Sequence, residues 1–103
     1  MNHVNLIGKV GAAPIIATTE EGKKVARFFL STCENYCDSS GNTKTRNNTH
    51  RIIVWGRWIQ IIEAYDLTGT RLAIEGKLTN RFYHSNGKAT CITEVEVNDL
   101  IIM

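Results

Sequence analysis

The sequence predicts an all-β protein: a five-stranded Greek-key barrel with one helix between the third and fourth strands. Three observations predict it. Five runs, at residues 3–10, 25–32, 49–56, from 71 onward and 90–97, alternate apolar and polar side chains with the two-residue period of a half-buried strand. One run, residues 58–67, instead repeats its apolar positions at three- and four-residue spacing, the period of a helix. Turn-forming residues separate these runs. Five strands with a helix after the third is the element order of the OB-fold. With 103 residues and no internal repeat or linker, residues 1–103 form a single OB-fold domain with a modest core.

Taken in order, the first strand carries Gly8 and meets Gly11, where a long strand must bend or bulge. Pro14 suits a turn exit or a sheet edge, and Glu20-Glu21-Gly22-Lys23 is a polar turn. In the second strand Ala26, Phe28 and Leu30 share one face, and Arg27, Phe29 and Ser31 the other. Phe29 is an apolar ring on the arginine face, either a base platform or, slightly preferred, a subunit contact. Residues 37–48 are the least hydrophobic stretch, with Lys44, Arg46 and Asp38 as their only charges. They read as a long loop, solvated when free and able to order against a polyanion. Trp58 starts the helix and caps the barrel, and Gly69 is a plausible helix stop. Asn86-Gly87 is the pair favoured in two-residue hairpin turns.

The strand faces carry the functional signal, because successive side chains point to opposite sides. His50, Ile52 and Val54 share one parity, while Arg51, Ile53 and Trp55 share the other. In the fourth strand Leu72, Ile74 and Leu78 face the core, opposite Lys77, Thr79, Arg81 and Tyr83. Each of these strands thus buries one face and presents arginines with large aromatics on the other. A flat ring accepts a nucleic-acid base by stacking, worth about 1–3 kcal/mol per base, and neighbouring cations take the phosphates.

Other classes fit less well. The formal net charge of +2 accommodates local basic patches and a neutral domain equally. No apolar run reaches the roughly 18 residues of a membrane span, and the N-terminus lacks the features of a secretory signal. A cytoplasmic location is expected. Cys33, Cys37 and Cys91 are odd in number, and their spacing matches neither a disulfide framework nor a zinc ribbon. The acids lie scattered in turns (Glu20, Glu21, Asp38), the helix (Glu63, Asp66) and the last strand (Glu94, Glu96), unlike a metal-dependent nuclease. A Cys33–His50 pair lacks an orienting third group. Neither catalysis, a metal nor a cofactor is expected.

Several strings, in this order and spacing, resemble the bacterial single-stranded DNA-binding proteins over nearly the whole chain. They are Val4-Asn5-Leu6-Ile7-Gly8-Lys9-Val10-Gly11 with Pro14, Val25-Ala26-Arg27-Phe28-Phe29-Leu30, and Glu34-Asn35-Tyr36. Next come Thr49-His50-Arg51-Ile52-Ile53-Val54-Trp55-Gly56, Gly76-Lys77-Leu78 with Arg81 and Tyr83, and Thr93-Glu94-Val95. The resemblance implies an OB barrel, usually a tetramer around which single-stranded DNA wraps. It also implies base stacking on Tyr36, Trp55 and Tyr83, and a DNA track along Arg51, Lys77 and Arg81, to which Arg27, Lys44 and Arg46 are added as further groove cations. His50 matches a histidine that supports subunit association.

Two departures qualify this. Thr49 stands where many members carry another stacking tryptophan. The sequence ends at Leu100-Ile101-Ile102-Met103 without the family's usual Gly/Pro/Gln-rich linker and acidic tip, so tail-mediated recruitment of replication or repair enzymes is not expected.

The expected function is sequence-tolerant binding and protection of single-stranded DNA in replication, recombination or repair. A nucleoid-associated homotetramer is expected, with a dimer next. Four to six engaged cations imply a slope of roughly −3 to −4 in log K against log salt. The alternative is a scaffold resembling the dimeric primosomal replication protein N, whose third strand does not usually carry the His-Arg-Ile-Ile-Val-Trp-Gly pattern.

Overall fold

The computed structural model describes residues 1–103. Its elements are β1 (Val4–Val10), β2 (Ile15–Thr18), β3 (Lys24–Cys37), β4 (Thr43–Trp55), α1 (Trp58–Ala64), β5 (Arg71–Ser85) and β6 (Lys88–Ile102). Five of the strands close a barrel in the order β1, β5, β6, β4, β3 and back to β1. All these pairings are antiparallel except β4 with β6, where Ile52 faces Val95 and Ile53 faces Glu96. The helix lies between the third and fourth barrel strands, as the alternation pattern required. β2 is an addition that the sequence reading did not contain. It pairs with the edge of β3 from Ile15 opposite Arg27 to Thr18 opposite Lys24. Four exposed residues are too short a run to show a period.

Closure depends on β1 changing partners. From Val4 to Lys9 it runs along β5, and at Lys9 and Val10 it also meets Ser31 and Leu30 of β3. Where the strands converge, the carbonyl oxygen of Ser31 occupies the space a Cβ on residue 8 would need, so glycine is required there. Leu30, Ile52, Val54 and Leu72 are wholly buried inside. Ile59 and Ile62 of α1 pack into the same core with Leu67. The helix ends at Ala64, short of residue 67, and Tyr65 is already extended at φ −124 and ψ 143. Leu67 reaches the core from the turn beyond, which explains why the helical period ran on. Trp58 rests against the core and donates its indole Nε1–H to the Asn98 carbonyl at 3.1 Å, the capping role expected of it.

Two hairpins run past the barrel as arms. The β3–β4 ladder continues to Cys37 opposite Thr43, and the β5–β6 ladder to Ser85 opposite Lys88. The radius of gyration is 15.7 Å, whereas a compact chain of this length has about 13 Å. The first arm corrects the loop expected at residues 37–48. Only residues 38–42 turn: the Asp38 carboxylate accepts the backbone N–H groups of Ser40 and Asn42, each at 2.9 Å. From Thr43 onward the polar residues form a ladder, with Arg46 opposite Glu34 and the Thr45 hydroxyl donating to Asn35 Oδ1 at 3.1 Å.

The second arm turns at Asn86-Gly87 as expected, with φ of 52 and 77. Leu78, assigned to the core by parity, is 48% exposed. The β1–β5 ladder ends at Val4 opposite Gly76, so β5 has left the barrel interior by residue 78. There the Asn2 side chain continues the ladder, accepting the Leu78 N–H and donating to its carbonyl, both at 2.8 Å. β6 also runs beyond residue 97, past an irregularity where Glu75 faces Asp99 but Gly76 faces Val97.

Candidate nucleic-acid interface

Register sets the outward face of the barrel. Phe29 of β3 faces Arg51 of β4, and Arg27 faces Ile53. On β6, Glu94 faces Thr79 and Glu96 faces Lys77, both on β5. Arg27, Phe29 and Arg51 line one concavity with Glu94, against Ala12 and Ile15 from the segment before and within β2. The Arg51 guanidinium lies 5.3 Å from the centre of the Phe29 ring. Ile53, of the same parity, is only 5% exposed, so this face is not uniformly open.

The arms repeat this pairing of arginine with ring. Arg46 sits 4.8 Å from the Tyr36 ring on the β3–β4 arm, and Arg81 sits 5.8 Å from the Tyr83 ring on the β5–β6 arm. Both tyrosines keep more than a third of their surface exposed. A guanidinium on one ring face is held by the aromatic quadrupole, which leaves the ring's other face and edge for a ligand. Trp55 stands apart from this group. It ends β4 opposite Val25 and lines a separate groove with Lys23, Lys24, Ile59 and Gln60.

The cations differ in how free they are. Arg46 and Arg51 rest on rings with no carboxylate within ion-pair distance. Lys44 pairs with Asp38 at 3.4 Å and Lys77 with Glu96 at 4.0 Å. Arg27 and Arg81 share Glu94, each at 3.1 Å. The groove cations expected here are therefore unequally free, because Asp38, Glu94 and Glu96 neutralise part of them. His50 is half-buried and hydrogen-bonded through Nε2 to the Thr32 hydroxyl at 3.0 Å.

Two groups escaped the sequence reading. Phe82 is 70% exposed, next to Tyr83 on the opposite side of the arm. An arm without a core exposes both parities, and that could have been inferred only from its length. Glu94, one of the acids that lie scattered in the sequence, is the one carboxylate buried on this face.

A closed five-strand barrel of this topology, here with rings and arginines along its outer sheet and arms, is an OB-fold. The model of the single-strand binding protein family matches residues 1–103, and the chain belongs to that family.

The chain is 37% identical over 102 residues to Single-stranded DNA-binding protein 1 of Chlorobaculum tepidum, covering 97% of this chain and 63% of that protein. It is 39% identical over 98 residues to the Single-stranded DNA-binding protein of Rickettsia typhi, covering 92% and 64%. It thus spans a little under two thirds of the length of these curated relatives. Among solved structures it resembles the Plasmodium falciparum SSB complex with ssDNA, with a TM-score of 0.89 and 35% identity over 100% of this chain and 95% of that one. A deletion mutant of the Thermus aquaticus single-stranded DNA binding protein matches at a TM-score of 0.87 and 23% identity, covering 100% of this chain and 50% of that one, a likeness of fold alone.

Proposed function

We propose that this protein binds single-stranded DNA without regard to sequence, performs no chemistry on it, and protects it during replication, recombination or repair. Bases stack on Tyr36, Trp55 and Tyr83, with Phe29 as a fourth platform because it lies under Arg51 in the groove. Arg46 and Arg51, with the outer edges of Arg27 and Arg81, take phosphates, and Lys44 and Lys77 contribute less because each has an acid partner. One observation carries this reading: three exposed rings, Phe29, Tyr36 and Tyr83, each hold an arginine against one face, on an OB barrel and its two arms. The relatives' names and the likeness to a complex with ssDNA support it.

Stacking does not read hydrogen-bonding edges, so every base is accepted. A duplex keeps its bases paired and out of reach. In a fluorescence titration, oligo-dT should therefore bind far more tightly than a duplex of equal length. Equal affinities would defeat the proposal.

The protein acts as a homo-oligomer, a tetramer in preference to a dimer, in the cytoplasm and associated with the nucleoid. Support comes from the outer face of the β1–β5–β6 sheet. Ile7, Ala73 and Ile101 form one cross-strand row, and Ile7 and Ile101 are 54% and 61% exposed. On one side of that row lie Glu75 and Asp99, on the other Lys9 and Arg71. A two-fold axis through the apolar row sets acids against bases, as an isologous contact requires. His50, half-buried and lining a concavity with Asn5, Leu6 and Ile7 of β1, contributes to a subunit contact in this reading.

A further inference from the structure

Glu94 is a buried carboxylate on a face that is proposed to receive a polyanion. Its side chain is 4% exposed, and both its oxygens are occupied: Oε2 accepts from Arg27 Nε and Oε1 from Arg81 Nε, each at 3.1 Å. Arg27 stands on β3, Arg81 on β5 and Glu94 on β6, so the contact ties together strands that are not all neighbours in the barrel. Neither guanidinium makes another hydrogen bond. Their side chains are 36% and 42% exposed, so their Nη groups remain free as donors.

Burying a carboxylate costs free energy unless geometry and hydrogen bonding compensate for it. A groove that needed only positive charge would be better without Glu94. Two arginines on one acid still carry net charge of one sign, and each is now fixed in direction. A guanidinium held along its Nε edge keeps a planar fork of donors that fits phosphate oxygens.

We propose that Glu94 is a positioning residue for the DNA-binding face: it grips Arg27 and Arg81 by their Nε edges and presents their Nη edges together to the backbone of the bound strand. The proposal rests on the single-stranded DNA reading above. It makes an acid necessary for binding an acid.

The test is a fluorescence titration with oligo-dT at several salt concentrations. Glu94→Gln keeps the shape and removes a negative charge, so charge alone requires tighter binding and a steeper salt slope. Positioning requires the reverse. Affinity should fall on the order of tenfold, the size of one charge-assisted hydrogen bond. The slope should become shallower by about 0.7 to 1.4, the contribution of one or two phosphates. Adding Glu94→Gln to an Arg27→Ala, Arg81→Ala background should cause no further loss, whereas a merely structural role would still weaken binding there.

Arg27→Lys with Arg81→Lys supplies a second variant that leaves Glu94 and the net charge in place. It too should lose affinity, because a lysine ammonium engaged by Glu94 has no second edge to offer. If Glu94→Gln does not fold, this variant decides the matter. Wild-type affinity in it, or equal or tighter binding by a folded Glu94→Gln, overturns the proposal. Failure of the unmodified protein to bind oligo-dT overturns the single-stranded DNA reading instead.

Discussion

Trp55 and Trp58 stand three residues apart and serve different ends. Trp58 is anchored by its indole N–H on the Asn98 carbonyl and packs against the core. Trp55 ends β4 half-buried, in an open groove with Lys23, Lys24 and Gln60. Substituting Trp55→Ala should leave the fold and the oligomer intact and cost about 1–3 kcal/mol of DNA binding per contact, the value of one base–aromatic stack. Trp55 emission should be quenched when oligo-dT binds, with Trp58 supplying a steady background. Unchanged affinity in the variant would remove Trp55 from the interface, and an unfolded variant would make it core.

The β3–β4 arm and the β1 crossing are opposite cases of what a strand segment contributes. The arm from Glu34 to Arg46 buries almost nothing, so its side chains are free for binding. Tyr36→Ala should therefore weaken oligo-dT binding by about 1–3 kcal/mol while leaving the denaturation midpoint close to that of the unmodified protein. A stability loss equal to the binding loss would count against an arm that works only on ligand. At the crossing, Gly8→Ala would push a methyl group into the Ser31 backbone carbonyl. The cost should be about 1–3 kcal/mol of folding stability, as for other overpacking changes, read as a lower midpoint in urea. A stability equal to wild type would mean that β1 and β3 can separate there without loss.

The charge balance of the whole molecule predicts a smaller salt effect than counting cations along strand faces implies. Lys44 and Lys77 are paired with acids, and Arg27 and Arg81 share one. Arg46, Arg51 and the Arg27–Arg81 pair remain, so three to four phosphates should be neutralised per chain and the slope should be about −2 to −3. A titration giving a slope near zero would mean that these arginines do not meet phosphate. For assembly, Ile101→Glu places an acid in the apolar row beside Asp99 and should lower the oligomeric state in sedimentation at fixed concentration. A tetramer unaffected by that change would move the contact to another face.

Alternation alone was enough to place the barrel strands and the helix, because a half-buried strand and an amphipathic helix write different periods into the chain. It also set Arg51 and Trp55 outward, since the opposite parity already held Ile52 and Val54 for the core. Where no core is present the period vanishes. The arm from Thr43 to Asn48 is polar on both faces and cannot be told from a loop by composition, and Leu78 kept core parity beyond the point where the barrel interior ends.

Tertiary structure also decided which cations are free. Glu94 lies 67 residues from Arg27 and 13 from Arg81: the β5–β6 hairpin sets it near Arg81, and only the pairing of β3 with β4 and of β4 with β6 brings Arg27 to the same carboxylate. A local pattern reports which face a side chain takes, whereas its partner across the sheet depends on register and closure, which the whole chain sets at once.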